Sequence, residues 1–175
     1  MKTSLPLSPT RRITTIALLA AVGIALFVIE SFIPMPFPFL KIGLANVSTL
    51  LALFILGPRE MLLVVLIRVV AGSLLVGSLF SPAFVLAFSA GISSAVVMAA
   101  AKIVTRALFS IVGISVIGSV AHVLTQLLVV YLLLVRNETV FFLLPLLLFS
   151  ALLGGVVVGW ISSRLIRVLK DFTPS

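Results

Sequence analysis

A chain of 175 residues with 62% hydrophobic and 9% charged residues, and a mean hydropathy of +1.44, has too much apolar surface for a water-soluble domain, where about half the residues are apolar and about a quarter charged. Its formal net charge is +8, but the basic residues stand at the ends of apolar runs rather than along one face, which argues against a nucleic-acid surface and assigns them to membrane orientation. Cysteine is absent, which excludes disulfides, thiolate metal sites and cysteine nucleophiles.

The composition predicts an all-α integral membrane protein: a single transmembrane domain over 1–175, with a cytoplasmic N-terminal segment 1–12 and a cytoplasmic tail 164–175. A spanning helix needs about 20 apolar residues, and six runs are candidates: Ile13 to Ile33, Leu44 to Leu56, Glu60 to Phe80, Ala83 to Ala101, Ile111 to Val135 and Phe141 to Ile161. The first run follows Lys2, Arg11 and Arg12 in the manner of a signal peptide. Its length and the spans behind it mark it as a retained helix. It carries small residues at every fourth position, Ala17, Ala21 and Ala25, and a carboxylate, Glu30, near its outer end.

The chain must then leave the helix, because Pro34, Pro36 and Pro38 remove backbone donors and clash with the preceding turn. Lys41, Gly43, Asn46, Ser48 and Thr49 follow at once. Such a segment is tolerated at membrane depth only where protein or a watery cavity satisfies its backbone. It is expected to fold over, and partly form, a polar pocket. The second run is short, about 20 Å at roughly 1.5 Å per residue, and spans only if the Pro-rich segment continues its outer end. Asn46 at its start is either a pocket residue or a helix N-cap.

Arg68 lies eight residues into the third run, about 12 Å from its start and hence near the midplane. Gly72, one turn on, is expected to leave room above it. Ionisable groups at this depth are functional candidates, although Arg68 has two other roles open to it: bracing the bundle through backbone carbonyls, or snorkelling to the inner surface. The fourth run repeats small residues at Ala83, Ala87, Gly91, Ala95 and Ala99, and the sixth at Ala151, Gly155 and Gly159. Most such stripes are packing seams between helices, and one is free to face another protein. In the fifth run Ser115, Ser119, His122 and Gln126, spaced i, i+4, i+7 and i+11, fall on one narrow face. His122 is either an interhelical hydrogen-bonder or a ligand contact, and Glu30 is placed to pair with Lys41 or Arg68.

With six spans, Lys2, Arg11, Arg12, Arg59, Lys102, Arg106, Arg164, Arg167 and Lys170 lie on the cytoplasmic side, and Lys41 and Arg136 outside. Glu30, Lys41, Asn46, Arg68, His122 and Gln126 then share the outer half of the bilayer. They imply a pocket open to the outside, suited to a small solute with an anionic group, which a guanidinium binds through its planar fork, and an organic body. No GxxxxGK[ST] loop is present, so ATP use belongs to another chain. A lone histidine and a single aspartate, Asp171, provide neither a multi-histidine metal site nor a catalytic triad. The chain is not expected to be an enzyme, and no cofactor is assigned to it.

The blocks Lys41-Ile-Gly-Leu-Ala-Asn46, Arg68 with Gly72-Ser73-Leu-Leu-Val-Gly77, and Phe109-Ser-Ile-Val-Gly-Ile-Ser115 leading to His122 and Gln126 resemble the Gx transporter family, also labelled heptaprenyl diphosphate synthase component I. The resemblance runs from about Ile33 to Tyr131. Members are similar to S components of energy-coupling factor (ECF) transporters, six-helix proteins with a ligand pocket in the outer half. The family's histidine is usually followed by asparagine, whereas this chain has Val123. The resemblance implies that Ala17, Ala21 and Ala25 meet a transmembrane coupling subunit, that two cytosolic ATPase subunits complete the complex in a prokaryotic plasma membrane, and that ATP hydrolysis on those partners drives a toppling motion that releases solute inward. The synthase label implies a rival: a non-catalytic membrane accessory subunit that docks a soluble prenyltransferase through cytoplasmic loops near Lys102 to Arg106. A catalytic version needs clustered carboxylates for magnesium, and the four acidic residues are scattered from Glu30 to Asp171. A purely structural membrane subunit is the third possibility.

Overall fold

The computed structural model describes residues 8–33, 43–105 and 108–171. Among them are six α-helices: α1 Pro9–Phe32, α2 Asn46–Ile55, α3 Pro58–Leu75, α4 Pro82–Thr105, α5 Ile111–Val129 and α6 Leu144–Asp171. A π-helical segment, Val130–Val135, and a 3-10 helix, Glu138–Leu143, link α5 to α6.

The helix ends follow from local chemistry. Ser8 caps α1 by accepting from the Arg11 amide at 3.4 Å, with Pro9 as the first helical residue, where its missing N–H costs no hydrogen bond. Ser110 caps α5 in the same way through the Gly113 amide at 3.1 Å. α3 stops at Leu75 instead of continuing to Phe80. Gly77 takes φ +72°, and the Ser78 amide turns back to the Ser73 carbonyl at 2.8 Å, a glycine-terminated helix end. The sixth helix begins in the 3-10 turn capped by Asn137 and runs past Ile161 to Asp171, because Ser162, Ser163 and Ile166 are still buried against the bundle.

Helix packing closes a ring in the order α1, α3, α4, α5, α6, α2, with α2 also against α3. Apart from α1 with α3 and α2 with α6, which run parallel, ring neighbours are antiparallel. Arg12 of α1 pairs with Glu60 in the first turn of α3, and Phe27 lies against Gly72 further along both. Gly159 and Gly155 of α6 meet Val112 and Val116 of α5 in antiparallel order. The Lys102 ammonium, near the end of α4, donates to the Leu53 carbonyl near the end of α2 at 2.7 Å and lies 4.5 Å from the Phe54 ring centroid. The described charges therefore separate. Arg12, Arg59, Glu60, Lys102, Arg164 and Arg167 share one end of the bundle, called the base below. At the base, Trp160 carries the Arg164 guanidinium 5.4 Å from its ring centroid.

Eight of the ten residues of α2 are buried, as expected of a helix that is apolar all round and surrounded by others. It forms the centre of the main core, where Leu50, Leu53, Met61, Val64 and Val65 are fully covered. A second, smaller core joins Leu86, Leu127, Val130, Val140 and Leu147 at the other end of α4, α5 and α6. α1, α4, α5 with its π extension, and α6 with its 3-10 extension are each long and apolar enough to cross a membrane. α2, at 10 residues, is short of that length, and α3, at 18 residues, carries Arg59, Glu60 and Arg68.

Candidate functional site

The site is built around Arg68. Its stem crosses from α3 toward α1 at Gly23, where a Cβ would lie 2.9 Å from Arg68 Cδ. Arg68 as a whole is only 3% exposed. Nη1 and Nη2 both donate to Asn46 Oδ1 at 3.3 Å, and Nε has no hydrogen-bond partner. Arginine has five N–H donors. The described residues offer this one a single neutral acceptor at long range. No salt bridge within 4.0 Å joins it to Glu30, although the buried Glu30 carboxylate on the same cavity acts on it electrostatically.

Asn46 is the first residue of α2. Ala45 precedes it as the cap residue without a side-chain capping bond, so the Asn46 side chain serves Arg68 rather than its own helix. Glu30, also buried, accepts from the Leu44 amide at 2.6 Å through Oε1. That bond ties the end of α1 to the entry of α2.

These groups line a cavity of about 240 Å³ together with His122 and Gln126 of α5. Phe27, Val69, Leu86 and Leu134 supply apolar wall. Leu134 comes from the π-helical segment, an irregularity common at functional sites, where the sequence pattern indicated an unbroken helix to Val135. Glu30, Asn46, Arg68, His122 and Gln126 thus meet at one cavity, drawn from four helices. Lys41 and the prolines Pro34, Pro36 and Pro38 lie outside the described residues.

One helical face divides and one expectation is corrected. Ser115 and Ser119 share a helical face with His122 and Gln126 but do not line the cavity with them. Ser115 Cβ would lie 2.9 Å from a Cβ on Gly159, and Ser119 Oγ 3.0 Å from one on Gly155, so both serines belong to the α5–α6 seam. Nor does Gly72 leave room for Arg68. The Phe27 ring fills that space, 2.6 Å from where a Cβ would stand. Gly23, which does accommodate Arg68, gave no signal in the sequence beyond being a glycine in an apolar run.

The small-residue stripes divide as well. Gly91 and Ala95 of α4 and Ala151, Gly155 and Gly159 of α6 are buried in seams, whereas Ala17, Ala21 and Ala25 of α1 are all exposed.

Chemically, the cavity can hold an anionic group. It presents a buried cation with unused donors, amide groups and the Glu30 carboxylate, which stands beyond salt-bridge distance of Arg68.

Three comparisons bear on this arrangement. The family model described as heptaprenyl diphosphate synthase component I matches residues 19–165. Among solved structures, the S component of a bacterial ECF transporter superposes with a TM-score of 0.71 at 21% sequence identity, covering 94% of this chain and 98% of that one. No curated protein matches. With this fold and its long apolar helices, the chain is a multi-pass helical membrane protein.

Proposed function

Because the chain belongs to the heptaprenyl diphosphate synthase component I family, whose model covers most of its length, and shares its fold with an ECF transporter S component, we propose that it is the substrate-binding membrane subunit of an ECF-type uptake transporter in a prokaryotic plasma membrane. The observation that carries the reading is the state of Arg68. A guanidinium buried with one amide acceptor beside an open volume is costly unless an anion completes it. A carboxylate or phosphate can take two of its donors at once. Lys41, which the sequence places among the candidate binding residues, would add a second positive charge.

In this reading all six helices cross or line the membrane, with both termini cytoplasmic. The base faces the cytoplasm, in keeping with its arginines and lysine, and the cavity opens to the outside. Ala17, Ala21 and Ala25 form the face that meets a transmembrane coupling subunit. Small residues there let a partner helix approach closely. ATP is consumed by cytosolic ATPase subunits of the complex. The family description favours a second reading, a non-catalytic accessory subunit of a prenyltransferase docked near Lys102 to Arg106.

Native mass spectrometry of the detergent-purified chain tests the proposal. A small anionic organic molecule should accompany the wild type and be missing from Arg68→Met, which should reach the membrane at the same level. Equal retention by the two would remove the proposal's main support. Ala21→Leu should lose the coupling subunit and ATPases on purification while keeping the solute. An accessory subunit predicts instead a prenyltransferase in the spectrum, unaffected by either substitution.

A further inference from the structure

A second cavity, of about 130 Å³, lies in the smaller core behind the π-helical segment, lined by Leu127, Val130, Val135, Val140, Leu143 and Leu147, with Gln126 as its one polar neighbour. Gln126 lines the Arg68 cavity too. The π segment borders both volumes, placing Leu134 in the first and Val130 and Val135 in the second. Gln126 and the π segment therefore border both volumes.

The hollow is not sealed, since Val135 on its lining is half exposed, while Leu127, Val130, Val140 and Leu147 are buried. Water gains nothing in it, because a buried water needs two to four polar partners and the lining, Gln126 included, presents only apolar surface. Apolar cavities of about 150 Å³ stay dry and accept a benzene-sized hydrocarbon. The two cavities thus complement opposite ends of one kind of molecule.

We propose that the solute is an amphipathic anion: its carboxylate or phosphate is held at Arg68, and a short apolar group of about four to six carbons passes Gln126 into the second cavity. The inference rests on the anion-binding reading of Arg68 and adds to it the class of solute. On binding, the Gln126 side chain swings aside and its amide stays hydrogen-bonded to the polar part of the ligand. The π segment gives the wall slack that a regular helix would lack. The apolar chamber selects against anions of the same charge that have no hydrocarbon tail.

The probes are monoalkyl phosphates from methyl to hexyl, titrated against the purified full chain in nanodiscs with thermal unfolding as the readout. Burial of each methylene is worth about 0.8 kcal/mol, so affinity should rise about fourfold per added carbon until the chamber is full. Val140→Phe, which fills the chamber, should flatten that series while leaving methyl phosphate binding intact. Leu143→Ala, which enlarges it, should move the optimum to a longer chain and serves as the test if the first variant does not fold. A wild-type series that binds with no dependence on tail length, or a tail dependence that neither variant alters, overturns the inference and leaves the Arg68 reading standing. Failure of every phosphate to bind, or binding undisturbed by Arg68→Met, overturns both.

Discussion

Arg12 and Arg68 are the same side chain treated in opposite ways at the two ends of the bundle. At the base, Arg12 is half exposed and meets the Glu60 carboxylate directly, while Lys102 finds a helix-end carbonyl and an aromatic face. In the cavity, Arg68 is buried deeper than either Arg12 or Lys102 and has one amide oxygen at 3.3 Å. A cation that exists to hold a fold is given acceptors by the fold. Arg68, left short of them at a cavity wall, is the position proposed above for a ligand. The contrast separates the ends by chemistry: Arg12 and Lys102 at the base have partners from the fold, and Arg68 has a single amide oxygen.

The largest effect that can break this contrast comes from Arg68→Met, which keeps most of the stem against Gly23 and deletes the charge. Loss of two charge-assisted hydrogen bonds, each about 1.5–3 kcal/mol, should weaken solute binding on the order of 100-fold or more. The empty protein should be as thermally stable as the wild type or more so, because replacing an inadequately compensated buried charge by an apolar group is often neutral or stabilising. Binding calorimetry and unfolding of the same preparation read the two together. A drop of several degrees in the empty protein would return Arg68 to the role of a structural brace.

Much of this site is legible in the sequence, for a reason specific to membrane chains. Glu30, Asn46, Arg68, His122 and Gln126 are conspicuous because an apolar span makes every ionisable or amide group expensive, and the distribution of basic residues predicts a common depth for them. What was illegible is what lies at one depth on one face. Ser115 to Gln126 form a single stripe by periodicity, yet it extends about 16 Å along the helix, so its lower half packs on α6 and only its upper half reaches the cavity. The error at Gly72 has a similar origin. Helical side chains lean toward the preceding turn, so space beside Gly72 is not offered to Arg68, and Phe27 from α1 takes it. Gly23 was hidden because glycine is ordinary in transmembrane helices. Its role depends on which helix lies opposite, which composition does not state. The short second helix could be recognised as too short to span. That it is the most enclosed helix of the bundle follows from ring closure, a property of all six helices at once.

A smaller effect sharpens the contrast from within the cavity. Asn46→Leu removes the acceptor shared by Nη1 and Nη2 of Arg68, and leaving a buried group unsatisfied costs about 1–3 kcal/mol. The empty protein should lose roughly 2–10 °C of melting temperature at about 2–4 °C per kcal/mol for a chain of this size. Because a bound anion would replace the missing acceptor, the thermal shift produced by solute should be larger in this variant than in the wild type. An equal or smaller shift would mean that the anion does not reach the guanidinium.

Glu60→Gln should have the smallest effect, and it tests the other half of the comparison. Glu60 is nearly buried, but its partner Arg12 is half exposed at the base, and pairs with one solvated member contribute about 1 kcal/mol or less. Salt should weaken the interaction further, since the Debye length is about 8 Å at physiological ionic strength. Unfolding at low and high salt should therefore show a loss of at most a few degrees at low salt that narrows at high salt, with solute affinity unchanged in both. A change in affinity would couple the base to the cavity through α1 and α3, the two parallel helices that join Arg12–Glu60 at one end to Gly23 and Arg68 further up. The two ends would then be one mechanism rather than two.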